Sequence, residues 1–300
     1  MFWLIIAILA YFFLALSSLG DKVYLKGKEN PKSYVFYVGL LSGLVILLIP
    51  FIKDFSLPSL DILIWPILEG GVYILALYSM YYALERFEVS VVVPTMGGLQ
   101  PIFILLLSMG FFQFTEISLQ NIVALIVLII GTFLISSSGK NVKIKGKELL
   151  FSLLPAALFA LDVILTKQVF LTEPFLNGLV FMRITSCVVV LFFLLNKKFR
   201  KNIFKRTNIK KSKANIFLMA QSAGGLGILL QSYAISLVPV LGLATLNALK
   251  GVQYIFLLIM TIIISAFFSK TLNEKFDKKT FSLKLVSIII IAVGIALLTI

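Results

Sequence analysis

GGLQPIFILLLSM, residues 97–109, returns in altered form as NALKGVQYIFLLIM, residues 247–260. Gln100 of the first stretch falls near Lys250 of the second. An ammonium at the centre of a bilayer costs about 2.5–3.5 kcal/mol on insertion scales. The match raises two questions together: whether the chain contains itself twice, and what answers the charge of Lys250.

Three more matches follow in the same order. ALSSLGDKVYL (15–25) resembles ALFALDVILTKQVF (157–170), with Lys22 set against Lys167. YALERFEVSVVV (82–93) resembles YAISLVPVLGLA (233–244), and IVLIIGTFLI (126–135) resembles IIIAVGIALL (289–298), with Gly131 against Gly294. Four matches in one order are an internal repeat, of residues 1–139 and 140–300.

Composition says what the repeat is made of. Hydrophobic residues are 60% of the 300 and charged residues only 13%, about half the share usual in soluble domains. Mean hydropathy is +1.07. A soluble fold cannot hide that much apolar side chain, so the chain is an all-α integral membrane protein. Ten apolar segments have the length of a membrane-crossing helix: 2–19, 34–52, 62–84, 90–113, 119–138, 148–167, 175–195, 214–236, 240–268 and 282–300. The segment 2–19 has no basic stretch before it, and its sequence recurs later in the chain. It is read as a mature helix, not a cleaved signal.

Five segments per half is an odd number, so the second half enters the membrane from the opposite side. The two halves are then inverted repeats, a design suited to alternating access around a central site. Among the loops, the odd-numbered ones hold 23 Lys and Arg and the even-numbered ones 2. The positive-inside rule places the odd loops in the cytoplasm of a cytoplasmic-membrane protein, with both termini outside. The net charge of +14 is therefore topological, and nucleic acid is not an expected partner. The basic block 196–213 is read as a solvated linker that fixes orientation, with anionic lipid headgroups as its other use.

Several function classes are excluded. The chain has no histidine and a single cysteine, Cys187, so no metal site, disulfide or nucleophile–base pair is expected. No Gly-rich nucleotide loop is present. No catalytic residue, cofactor or metal is assigned.

The stretch from Tyr81 to Ile135 resembles the third to fifth helices of an EamA domain of the drug/metabolite transporter superfamily. The residues that carry this are Tyr82-Ala83-Leu84 closing the third helix, Pro101 in the fourth, Glu116 after it and Gly131 late in the fifth. A weaker copy in the second half puts Glu274 where Glu116 stands. The resemblance implies a transporter built of two EamA-like halves. Departures are Leu14-Ala15 where relatives often have Trp-Gly, and Gln100-Pro101 where they have Glu-Pro. Relatives generally place both termini in the cytoplasm, opposite to the charge count.

Four charged residues lie inside the predicted helices: Glu69, Asp162, Arg183 and Lys250. Such residues face the interior of a bundle, pair, and mark pathways. At 1.5 Å per residue, Glu69 and Arg183 lie about 10–13 Å in from the outward ends, Asp162 about 8 Å and Lys250 about 15 Å. All four then occupy the outward half or the centre, which predicts a vestibule on the outer side. Asn247 stands one turn before Lys250 and Gln253 at the neighbouring i+3 position. With Gln100 these make the expected substrate-binding set: Lys250, Asn247, Asp162, Arg183, Glu69, Gln100 and Gln253. Lys250 and Asp162 are expected to pair when the site is empty, while Arg183 either neutralises Glu69 or binds an anion bidentately. The glycines of helix eight are read as packing, and Tyr78, Tyr81 and Tyr82 as an interface belt.

The chain is therefore expected to be a secondary transporter, an exporter of small polar metabolites, working as a monomer or homodimer among membrane lipids. The competing reading is a carrier of lipid-linked sugars, which would need a side portal open to lipid.

Overall fold

A computed structural model describes residues 2–24, 31–53, 55–87, 89–113, 118–137, 146–203, 211–267 and 278–299. Among these residues there are helices and no strands. The order is α1 (Phe2–Tyr24), α2 (Pro31–Ser42), α3 (Leu60–Arg86), α4 (Val89–Phe112), α5 (Leu119–Ser137) and α6 (Gly146–Thr172). Then come α7 (Phe175–Phe192), α8 (Lys197–Ile203), α9 (Lys211–Leu237), α10 (Leu243–Ala248), α11 (Lys250–Phe267) and α12 (Lys278–Thr299). A 3-10 stretch, Gly43–Phe51, prolongs α2.

Seven stretches are long and apolar enough to cross a membrane, and α5 and α12 hold shorter apolar cores, Leu119–Leu134 and Ser282–Leu297. The expected count of ten is thus met by seven on this measure. α9 falls outside it because Gln221, Ser222, Gln231, Ser232 and three glycines dilute its apolar content. Helix remains the form adopted throughout, since lipid leaves no other partner for backbone amides.

Small residues set the helix contacts. α1 and α9 run antiparallel along each other. A Cβ on Gly20 would meet Ala220, one on Gly224 would meet Ser17, and one on Gly227 would meet Leu14. The glycines of α9 are therefore seats for α1, as the packing interpretation expects. At the α5–α12 seam, Gly131 faces Ile291 and Gly294 faces Leu128. Each glycine seats the residue three places before the other. α3 packs on α6 and α7, and α4 packs on α5, α6 and α10.

Two features differ from the sequence expectation. The ninth apolar segment is two helices, broken at Leu249, whose N–H bonds Thr245 O at 3.1 Å. Thr132 Oγ1 donates to Ala248 O at 3.0 Å, and Gly251 lies against Thr132 and Ile291. The break is thus held by α5 from outside. The block 196–213 is also not all solvated linker, because part of it forms α8. Phe199 stacks on Phe193 at 4.9 Å, and Ile203 is buried in the same cluster.

Candidate substrate-binding site

A cavity of about 510 Å³ lies between α1, α2, α3, α7 and α9, within the range of small-molecule sites. Leucine is the commonest residue of its walls, with Tyr34, Tyr73, Tyr81 and Arg183 also among the lining residues. Ser17, Ser18, Gln221 and Ser222 supply further polar atoms. The lining runs from Leu179 and Arg183 toward Tyr34, Tyr81 and Leu218, which stand near the odd-loop ends of their helices. Leu179 stands nearer the even-loop end of α7 than Arg183 does, so the lining extends to both sides of Arg183 and not to the expected outer side alone. α3 packs closely on α7, and the cavity lies where α2 and α9 stand apart.

Tyr34 bridges that gap. Gln221 Nε2 donates to Tyr34 Oη at 3.0 Å, and the Tyr34 and Tyr81 rings lie 4.8 Å apart. Tyr81 is thus a wall of the cavity rather than part of an interface belt. Tyr82 does stay on the periphery, under the Arg86 guanidinium.

The charges divide into two groups. Glu69 on α3, Asp162 on α6 and Arg183 on α7 come together. Arg183 Nη2 donates to Glu69 Oε1 at 3.1 Å, in a pair where the Glu69 side chain is wholly buried and that of Arg183 is 10% exposed. Thr166 Oγ1 donates to the same oxygen at 3.4 Å. The Asp162 carboxyl lies within hydrogen-bonding reach of Glu69. The guanidinium sits over the Tyr73 ring, 4.5 Å from its centre. Glu69 Oε2, Asp162 Oδ1 and Arg183 Nε and Nη1 are buried with no partner. Of the three charged residues only Arg183 lines the cavity. The acids stand behind it.

The geometry follows from local spacing. Tyr73 is four residues after Glu69 and Thr166 four after Asp162, so each lies on its acid's helix face: Tyr73 under the guanidinium that Glu69 binds, and Thr166 donating across to Glu69. Gly70 lets α3 approach α7 until a Cβ would touch Ser186 N and Met182 O. That closeness brings Arg183 to Glu69.

Lys250 stands apart. It is half-buried at the start of α11 and makes no ion pair among the described residues. The expected Lys250–Asp162 pair does not form, since Asp162 is engaged with Glu69 and Arg183 on α3 and α7. Asn247 and Gln100 are buried in α10 and α4, which pack together, and each leaves its side-chain oxygen without a partner. Gln253 reaches the cavity wall, donating to Ser18 Oγ at 3.0 Å.

Lys167 was not among the expected site residues, yet it is buried and bound. Its Nζ donates to the carbonyls of Ile235, Ser236 and Val238 at 3.2, 3.0 and 2.7 Å, capping the end of α9. Its place at the end of an apolar helix made it read as a loop residue. The family-derived acids Glu116 and Glu274, and the side chain of Lys22, lie outside the described residues.

Comparison with known proteins agrees with the helical membrane architecture. Among solved structures, 28 chains match. One, described only as "Crystal structure of protein", aligns over 98% of this chain and 95% of its own, at 14% identity and a TM-score of 0.67. That likeness is one of fold. No curated protein matches. The model of the EamA-like transporter family matches residues 1–137, and the stretch from α1 to α5 is accordingly an EamA-like unit of an all-α membrane protein.

Proposed function

We propose that the protein is a secondary transporter of small polar metabolites in the cytoplasmic membrane, working by alternating access between two inverted EamA-like halves. The observation that carries this reading is the cavity between α2 and α9 with a buried guanidinium in its wall. The α5–α12 seam supports the two halves: Gly131 seats Ile291 as Gly294 seats Leu128, the pattern of a two-fold contact. The packing supports them too. Under that two-fold, the close α3–α7 contact corresponds to α9–α2, which here meet at Tyr34 and leave the cavity between them. One closed seam and one open seam are what a single state of an alternating-access carrier presents. Asp162 corresponds to Ser17 at the repeat offset, so the charged lock exists on one side only.

Export is the proposed direction, and the charge distribution favours odd loops in the cytoplasm. The apolar groove between α4 and α5, lined by Leu99, Ile102 and Phe133 among others, shares no residue with the cavity. The metabolite carrier is therefore preferred to the lipid carrier.

The test is metabolite counterflow in proteoliposomes, with candidates drawn from metabolites that differ between cells with and without the protein. Arg183→Ala should abolish counterflow of the identified cargo, while Lys250→Ala should reduce it if the α10–α11 break forms part of the path. A folded Arg183→Ala protein that transports normally would sink the assignment of the site.

A further inference from the structure

A wholly buried carboxyl, Glu69, and a half-buried one, Asp162, whose Oδ1 is buried, meet one buried guanidinium in this protein. If both acids were ionised, the cluster would hold a net negative charge largely out of contact with water, which is unfavourable. Two carboxyl groups in hydrogen-bonding reach satisfy each other when one carries a proton and donates it to the other. The charges then balance: one carboxylate against Arg183, one neutral acid behind it. The positions are also ordered. Arg183 lines the cavity and neither acid is among its lining residues, while the guanidinium Nε and Nη1 are buried with no hydrogen-bond partner among the described residues.

Among the described residues no other charged group enters the cluster. α4 carries no ionisable residue. On α6, Lys167 turns away to the end of α9, and on α9 Tyr233 faces Phe175. On α7, Cys187 faces Gly43, the first residue of the 3-10 stretch after α2, and on α3 Tyr73 lies under the guanidinium.

We propose that this site carries an organic anion together with one proton: the anion's carboxylate docks on Arg183 from the cavity, and the Glu69–Asp162 pair takes up the proton. This rests on the transport reading above. The balance is simple. When a carboxylate takes the guanidinium, Glu69 loses its cation and accepts a second proton from the water on the cavity side. The cluster with its cargo gains one negative and one positive charge, so the loaded and empty carriers differ by no net charge. The aliphatic and tyrosine side chains of the wall suit an anion with an apolar body.

The test has two arms on the full chain. The first needs no cargo. Infrared absorption of protonated carboxyls in the purified protein should show one acid in the wild type, lost in Asp162→Asn. Arg183→Gln should gain a second protonated acid, and Arg183→Gln combined with Glu69→Gln should not. An absent wild-type signal, or no gain in folded Arg183→Gln, overturns the proton half whether or not transport is seen. The second arm adds phenylpyruvate or 4-methyl-2-oxopentanoate, each against its methyl ester, in weakly buffered detergent solution. Binding of the acids with uptake of about one proton is expected, weakened at least about tenfold in Arg183→Gln. Equal binding of the esters, binding without proton uptake, or no binding of either acid overturns the anion half. Failure of the wild type to carry any metabolite would remove the transport reading, and the infrared result would still decide the proton.

Discussion

At the residue scale, two lysines and one arginine meet the same problem in different ways. Arg183 answers its burial with an ion pair and an aromatic face, and Lys167 with three carbonyls. Replacing one member of a buried pair leaves the other charge stranded, at a cost of about 3–5 kcal/mol. Arg183→Ala should therefore lower the thermal unfolding temperature in detergent. Its loss should be larger near neutral pH than under mildly acidic conditions, because a proton on the stranded carboxyl removes its charge. Equal losses at both pH values would contradict this. Lys167→Met should cost about 1–3 kcal/mol by leaving carbonyls at the end of α9 unsatisfied. Lys250→Met breaks no ion pair among the described residues and should cost less than Lys167→Met in the same assay. The sequence placed Glu69, Asp162, Arg183 and Lys250 inside apolar helices but not Lys167, and it offered the Glu69–Arg183 pairing as one of two roles for Arg183. It misassigned Asp162 to Lys250. Partner choice across helices depends on how closely α3, α6 and α7 approach, which the order of residues along one helix does not contain.

At the element scale, neighbouring glycines have unlike roles. A Cβ on Gly70 would strike the backbone of α7, while Gly71 has open space beside it. On α9, Gly227 is pressed against Leu14 and Gly225 faces nothing within 4 Å. Gly70→Ala and Gly227→Ala should each destabilise by about 1–3 kcal/mol through overpacking. Gly71→Ala and Gly225→Ala should be neutral or slightly stabilising, since alanine favours helix by about 1 kcal/mol over glycine. Thermal unfolding of the four variants checks this, and a large loss in Gly71→Ala or Gly225→Ala would count against the packing described. The helices themselves were legible from apolar length, to within a few residues at most ends. The break at Leu249 lies inside a segment read as one span, and its holder, Thr132 on α5, belongs to the other half of the chain. No local pattern announces such a contact.

At the scale of the whole molecule, the arrangement is asymmetric where the repeat would allow symmetry. One seam is locked by buried charge; the other is bridged by the Gln221–Tyr34 hydrogen bond and the Tyr34–Phe217 ring contact. Tyr34→Phe removes that hydrogen bond and should let α2 and α9 separate further. Reaction of a cysteine placed at Leu218, in a Cys187→Ser background, should then become several-fold faster. An unchanged rate would show that Tyr34 does not restrain the seam. The same labelling, done from one side of sealed cells with cysteines in 55–59 and in 196–203, tests the charge-derived orientation. Residues 55–59 should react from outside and 196–203 only after permeabilisation; the reverse pattern would favour the orientation general among relatives.

The contact at α5–α12 has a consequence for how such a chain can be cut. Gly131 against Ile291 and Gly294 against Leu128 are one interaction made twice, with each half giving and receiving the same shape. A joint of that kind asks nothing of the peptide bonds between its sides. Residues 1–142 and 143–300, produced as separate polypeptides in one cell, should find each other in the bilayer and co-purify. Enlarging Gly131 and Gly294 together should leave two orphaned fragments, and the linker between the halves would then be a convenience of synthesis and not a part of the machine.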